Sequence, residues 1–144
     1  MPTRKSSARW EGGLKGGKGT FKGESGAIDG QYSFSSRFEE GVGSNPEELL
    51  AAAEAACFSM ALSGGLEKNN TPATYVETDA ACTVGPDPEG GFKITAMALN
   101  VRAAVPGIDD AKFQEIVKAT LTGCPVSKAF QGNLQLTGNA KLVG

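Results

Sequence analysis

The sequence predicts an α+β fold, and three observations carry the prediction. Three strand-like segments precede the first helix, which implies antiparallel pairing. The full order reads βββ-α-ββ-αα-β, with strands outnumbering helices and no strand–helix–strand repeat of a doubly wound sheet. One long helical stretch, nearly uncharged from Leu49 to Leu62, needs covering on most sides. No linker, repeat or low-complexity segment divides the 144 residues, so a single domain over 1–144 is expected, with 1–6 as a loose tail.

The elements follow in order. Ala8 to Gly12 and Lys18 to Gly26 read as short strands bounded by glycine. Gly30 to Phe38 alternates, with Tyr32, Phe34, Ser36 and Phe38 on one side, the pattern of a half-buried strand ending near Arg37. The long helix opens with Asn45 as N-cap, Pro46 at the first helical position and Glu48 completing a capping box; Ser44 with Glu47 offers the same box one residue earlier. Ala, Leu and Met then dominate, and Gly64-Gly65 reads as the stop. Thr74 to Val84 is a strand with Val76, Thr78, Ala80, Cys82 and Val84 on one face. Gly85 to Gly91 is a hairpin connection, and Phe92 to Ala104 is the longest strand. After Val105-Pro106-Gly107, Asp109 or Asp110 caps an amphipathic helix reaching Leu121. Cys124 caps a short third helix with Pro125 at its first position, Gly132 closes it, and Asn133 to Val143 is the last strand.

Composition excludes several classes. A net charge of −2 gives no basic footprint for nucleic acid. No apolar run near 18 residues is visible, and the basic start Met1 to Ser7 lacks the apolar segment of a secretory signal, so a soluble cytoplasmic protein is expected. Three cysteines without CxxC spacing do not form a disulfide scaffold. The absence of histidine excludes Ser-His-Asp and Cys-His activation and the usual catalytic zinc sites. An activated cysteine here needs Arg, Lys or a helix N-terminus.

Four residues stand out, each with a plain alternative. Cys124 sits where a helix N-terminus favours thiolate, or is simply a cap before Pro125. Cys57 lies inside the long helix, where a thiol is ordinarily inert packing. Arg37 is either a surface cation paired with Glu39-Glu40 or the fixed cation of a thiol site. Glu47 suits the first helical turn on dipole grounds alone. Ten residues separate Glu47 from Cys57, roughly 15 Å along the axis and about 80° around it. If both serve one site, Glu47 comes from a second, antiparallel copy of the helix. Cys82, on an apolar strand face, reads as a small buried hydrophobe.

Ala8-Arg9-Trp10-Glu11-Gly12, Gly17 to Thr20, Arg37-Phe38-Glu39, the run Asn45 to Ser63, Val105 to Asp109 and Gly123-Cys124-Pro125-Val126-Ser127 together closely resemble the OsmC/Ohr family, in its osmotically inducible protein C branch. The resemblance spans nearly the whole chain. It implies an intertwined homodimer with antiparallel sheets around central Cys-bearing helices, and thiol-dependent reduction of hydroperoxides, organic ones preferred. Cys57 falls at the peroxidatic position, Cys124 at the resolving one, and Arg37 and Glu47 at the family's Arg and Glu. Glu54 stands where the branch often has His. Local electrostatics favour Cys124 as thiolate while the family assigns attack to Cys57; the family's assignment is followed.

The implied mechanism has Arg37 stabilise the Cys57 thiolate, Glu47 orient Arg37, and a Cys57 sulfenic acid condense with Cys124 to a disulfide. An external dithiol, of the lipoyl kind, reduces it. Phe38, Met60 and Phe130 are apolar neighbours for an alkyl chain. No metal or bound cofactor is required. The expected assembly is an obligate homodimer whose sites combine Cys57 and Cys124 of one chain with Glu47 and Arg37 of the other. Two other readings are a dimeric module binding small apolar ligands, with structural thiols, and a thiolate–metal site, for which the cysteine spacing is wrong.

Overall fold

The computed structural model describes residues 1–144, and the chain divides into two compact units, Met1–Leu49 and Leu50–Gly144.

The first unit holds β1 (Ser6–Glu11), β2 (Lys18–Gly23) and β3 (Asp29–Tyr32), an antiparallel sheet in that order. Its register stacks Trp10, Gly19 and Tyr32 across the strands, with the two rings 5.4 Å apart. A side chain at position 19 would place its Cβ 2.5 Å from the Tyr32 ring, so this close approach requires glycine. Ser6 is strand rather than tail, held as Lys5 and Glu24 exchange hydrogen bonds.

The third strand is shorter than the alternation implies. After Tyr32 the chain turns into a one-turn helix, α1 (Phe34–Phe38), so Arg37 is helical and not at a strand end. The reason is a capping box: the Ser33 hydroxyl accepts from the Ser36 amide, and the Ser36 hydroxyl accepts from the Ser33 amide. Phe34 and Phe38, two members of the alternating set, are also an i, i+4 pair, and their rings sit 5.1 Å apart. Period 2 and a single i, i+4 spacing are indistinguishable over so few residues.

The long helix, α2, spans Pro46–Lys68. Asn45 caps it as expected, its Oδ1 accepting from the Glu48 amide at 2.8 Å. Gly64-Gly65 does not stop it. A Cβ on Gly65 would lie 3.0 Å from Ile116, so this glycine admits a neighbouring helix and not a turn. The end comes at Asn69-Asn70, where Asn70 takes the left-handed conformation, φ 60°. With those added residues α2 is long and apolar enough for a membrane span, which the expectation of no such run had missed. Within the second unit it is used as a core helix: Phe58, Leu62 and Leu66 are fully buried.

The second unit's sheet has the order β4-β5-β6, with β4 (Tyr75–Pro86), β5 (Phe92–Ala104) and β6 (Gln135–Leu142). β4 and β5 form the expected antiparallel hairpin, but β6 runs parallel to β5, so the sheet is mixed. The intervening helices α3 (Asp110–Gly123) and α4 (Pro125–Phe130) make this one strand–helix–strand crossover, long enough to return the chain in the same direction. One face of the sheet carries Val76, Thr78, Ala80 and Cys82 from β4 against Met97, Leu99, Val101 and Ala103 from β5. These pack in a core with Phe58, Leu62 and Leu66 of α2, Phe113 and Val117 of α3, and Cys124. The Ser59 hydroxyl donates to Thr78 at 2.8 Å, tying α2 to the sheet.

Candidate active site

Two pairs of the four expected residues come together, one in each unit. In the first, Arg37 on α1 meets Glu47 in the first turn of α2. Nη2 donates to Oε1 at 2.8 Å and Nε to Oε1 at 3.1 Å. The ion pair of Arg37 is thus with Glu47, and not with Glu39-Glu40 as its plain alternative had it. The Ser33–Ser36 box and the Ser36 hydroxyl, donating to the Ser44 carbonyl at 2.7 Å, fix α1 next to the start of α2. Asn45 adds a bond from its side-chain amide to the Ser36 carbonyl at 3.0 Å. Glu47 is only 6% exposed, whereas the Arg37 side chain keeps 36% of its surface open. A buried carboxylate gripping a guanidinium from one edge presents a fixed cation on the other. Arg37 also borders a cavity of about 220 Å³ walled by Trp10, Leu14, Tyr32, Phe34 and Phe38. Of the three apolar neighbours expected, Phe38 lines this cavity, Met60 is 77% exposed and Phe130 packs on the second unit's core. Trp10, Tyr32 and Phe34 were missed as cavity walls, although the aromatic–glycine–aromatic register was their signal.

In the second unit, Cys57 on α2 and Cys124 at the cap of α4 place their sulfurs 3.0 Å apart, both as free thiols. A disulfide needs about 2.05 Å, so roughly 1 Å of closure joins them. Cys124 is 1% exposed and makes no capping hydrogen bond with its side chain, so it is not the open helix-terminus thiol that its position implied. The first turn of α4 instead acts on Cys57, whose ionised form is favoured by the Val126 amide. That influence loses. Burial, the bond from Cys124 and the neighbouring charges of Cys124 and Glu54 together push the Cys57 thiol above its ordinary value. No cation is among the influences on the Cys57 thiol.

Glu54, one turn before Cys57, is fully buried. Its Oε1 accepts from the Ser127 hydroxyl, and its Oε2 has no partner. Sequence reading named it only as a departure from a family pattern, though the sole charge inside an apolar helix was the available signal. Cys82 packs half-buried on the inner sheet face, as a small hydrophobe does.

The OsmC-like protein family model matches residues 39–138. The chain is 45% identical to peroxiredoxin OsmC of Escherichia coli strain K12 over 134 residues, 92% of this chain and 93% of that protein. It is 39% identical to an organic hydroperoxide resistance protein of Xanthomonas axonopodis pv. citri over 99 residues, 67% of this chain and 66% of that one. The crystal structure of the organic hydroperoxide resistance protein OhrB of Bacillus subtilis superposes with a TM-score of 0.78 at 32% identity, covering 96% of this chain and 98% of that one.

Proposed function

Since this chain belongs to the OsmC-like protein family, we propose that it is a soluble, cytoplasmic thiol peroxidase that reduces organic hydroperoxides to alcohols in oxidative and osmotic stress defence, hydrogen peroxide less well. The observation that carries this reading is the 3.0 Å approach of Cys57 and Cys124 in a chain without histidine.

In this mechanism the Cys57 thiolate attacks the peroxide O–O bond. The S–O bond forms, the O–O bond breaks, and the alkoxide leaves as alcohol after taking a proton. Cys57 is then a sulfenic acid. The Cys124 sulfur attacks it, the S–S bond forms, and hydroxide leaves with the Cys124 proton as water. An external dithiol, of the lipoyl type, reduces the disulfide by exchange and is itself oxidised. Arg37 offsets the unfavourable ionisation of Cys57 and donates to the peroxide, while Glu47 holds the guanidinium in place. The aromatic cavity beside Arg37 suits an alkyl substituent. No metal or resident cofactor takes part.

The whole chain, 1–144, works as one functional domain in an obligate homodimer. Arg37 and Glu47 are bonded to each other, and Glu47 lies about 15 Å along α2 from Cys57. An antiparallel α2 from a second copy brings its own Arg37–Glu47 pair to Cys57, twice per two-fold axis. The exposed row Ala52, Ala53, Ala56, Met60 and Ser63, at helical spacing on α2, is the surface such a copy covers.

Counting free thiols before and after one equivalent of cumene hydroperoxide tests the chemistry. Two of three thiols should disappear, with cumyl alcohol formed. Three surviving thiols would sink the peroxidase reading in favour of an apolar-ligand module.

A further inference from the structure

We propose that the Glu54–Ser127 hydrogen bond is a positioning latch for the resolving thiol: it seats the first turn of α4 on α2 and sets Cys124 against Cys57, so that capture of oxidised Cys57 depends on it. The inference rests on the peroxidase reading above.

Glu54 and Cys57 are three residues apart on α2, and Cys124 and Ser127 are three residues apart at the start of α4. Residues at that spacing share a helix face. The Sγ–Sγ contact and the Glu54–Ser127 bond are therefore two rungs between the same two helices. The Val126 amide of α4 adds a third contact, to Cys57 itself. The sulfur contact and the Val126 amide both meet α2 at Cys57; the Glu54–Ser127 bond adds a separate point of attachment one turn away and so fixes the angle of α4 on α2. The N-cap of α4 contributes no side-chain bond of its own, so beyond apolar packing of Val126 and Phe130 its first turn is held by its contacts with Cys57 and Glu54.

The carboxyl is an expensive way to fill this space. Glu54 is fully buried and its Oε2 is unpartnered. A leucine of similar size would avoid both costs. Burial pushes the Glu54 carboxyl up, and the Ser127 hydroxyl draws it only partly back. The bond needs only Oε1 as an acceptor, while a negative charge on Glu54 opposes ionisation of Cys57.

The step at issue balances without a further reactant. Cys57–SOH and Cys124–SH give the Cys57–Cys124 disulfide and water: the S–S bond forms, the Cys57 S–O bond breaks, and the Cys124 proton leaves on the hydroxide. The oxidant is the sulfenic acid made by the peroxide.

The test compares Ser127→Ala, Glu54→Leu and Glu54→Gln with the native chain after one equivalent of cumene hydroperoxide. Dimedone trapping reports sulfenic acid on Cys57, and intact mass reports the disulfide. Capture relative to sulfenic-acid formation should fall tenfold or more in Ser127→Ala and Glu54→Leu, because small misplacements of reacting atoms cost rate steeply. Over-oxidation of Cys57 should rise in step. Glu54→Gln, which keeps an acceptor oxygen in the same place, should restore capture to within a few-fold. A purely structural role predicts instead that Glu54→Leu, stable in thermal melts, captures normally. Capture ratios within twofold of native in Ser127→Ala and Glu54→Leu would overturn the latch, as would Glu54→Gln being as slow as Glu54→Leu. If the native chain forms neither a trappable sulfenic acid on Cys57 nor a Cys57–Cys124 disulfide, the peroxidase reading itself fails and the latch falls with it, an outcome distinct from normal capture.

Discussion

The Arg37–Glu47 pair and the Cys57–Cys124 pair are built by opposite means. The first is polar and local. A one-turn helix, a serine capping box and the start of α2 bring together residues ten apart, and a buried carboxylate grips a guanidinium that stays open on one side. The second is apolar and long-range. Residues 67 apart meet because α2 and the α3–α4 crossover pack on one sheet, and the surroundings that bring the thiols together also disfavour the charge of Cys57. The first pair presents a cation; the second presents two thiols, and no cation is among the influences on Cys57. Each holds what the other lacks, and the experiments below break one side of that division at a time.

The largest effect belongs to the nucleophile. Cys57→Ser should reduce peroxidase turnover to background, a loss of at least about 10³-fold, since an alcohol is too weak an acid to replace the thiolate. Cys124→Ser also stops turnover, but its Cys57 should still be oxidised once and then trapped as sulfenic acid or driven further up the ladder. Mass spectrometry after one equivalent of peroxide separates the two. An internal disulfide in Cys124→Ser, necessarily through Cys82, would break the assigned pairing.

The cation comes next. Arg37→Gln keeps some hydrogen bonding and removes the charge. Cys57 then keeps the raised pKa that its own surroundings impose. Below that pKa the thiolate fraction falls about tenfold per pH unit, so the rate deficit should be greatest near neutrality, about 10²-fold, and should shrink as pH rises. The reading is a pH–rate profile displaced to the alkaline side. A uniform loss at all pH values would instead assign Arg37 to substrate binding alone.

Mixing lesions tests where the cation comes from. Cys57→Ser and Glu47→Ala chains should each be nearly inactive, the second because an unheld guanidinium is misplaced. In a shared-site heterodimer one site carries both lesions and the other is intact. Random reassembly should therefore recover about a quarter of native activity, because half the dimers are mixed and half of their sites are intact. Verified heterodimers with no recovery would place both pairs in one copy.

The two regions also differ in how far the sequence revealed them. α2's start, the β4–β5 hairpin and Cys124 before α4 were legible because caps, turn glycines and proline act locally: Asn45, Gly90-Gly91 and Pro125 sit where each signal implies. The errors fell where a local signal had two physical meanings. Tyr32 to Phe38 fits period 2 as well as an i, i+4 aromatic pair, and only the Ser33–Ser36 box decides. Gly64-Gly65 is stop or close approach, and only Ile116 from α3 settles it. The parallel placing of β6 depends on tertiary packing, which periodicity does not carry. Cys57 and Cys124 were assigned together through family resemblance, since nothing in their separate surroundings announces a 3.0 Å contact.

The smallest effect is expected at Cys82, the thiol in neither pair. It faces the core from the inner side of β4, paired across the sheet with Met97. A hydroxyl there puts a more polar group on a half-buried apolar face and loses part of its packing. Cys82→Ser should therefore cost about 1–2 kcal/mol of stability, read as a melting point lower by a few degrees. Cys82→Val, apolar and close in size, should melt within about a degree or two of native. Both variants should still lose two thiols to one equivalent of peroxide and turn over at close to the native rate. The contrast between serine and valine makes the prediction sharp. If Cys82→Val retains its melting point but loses peroxide turnover, the third thiol is chemical and not structural, and the division of labour between the two pairs is incomplete.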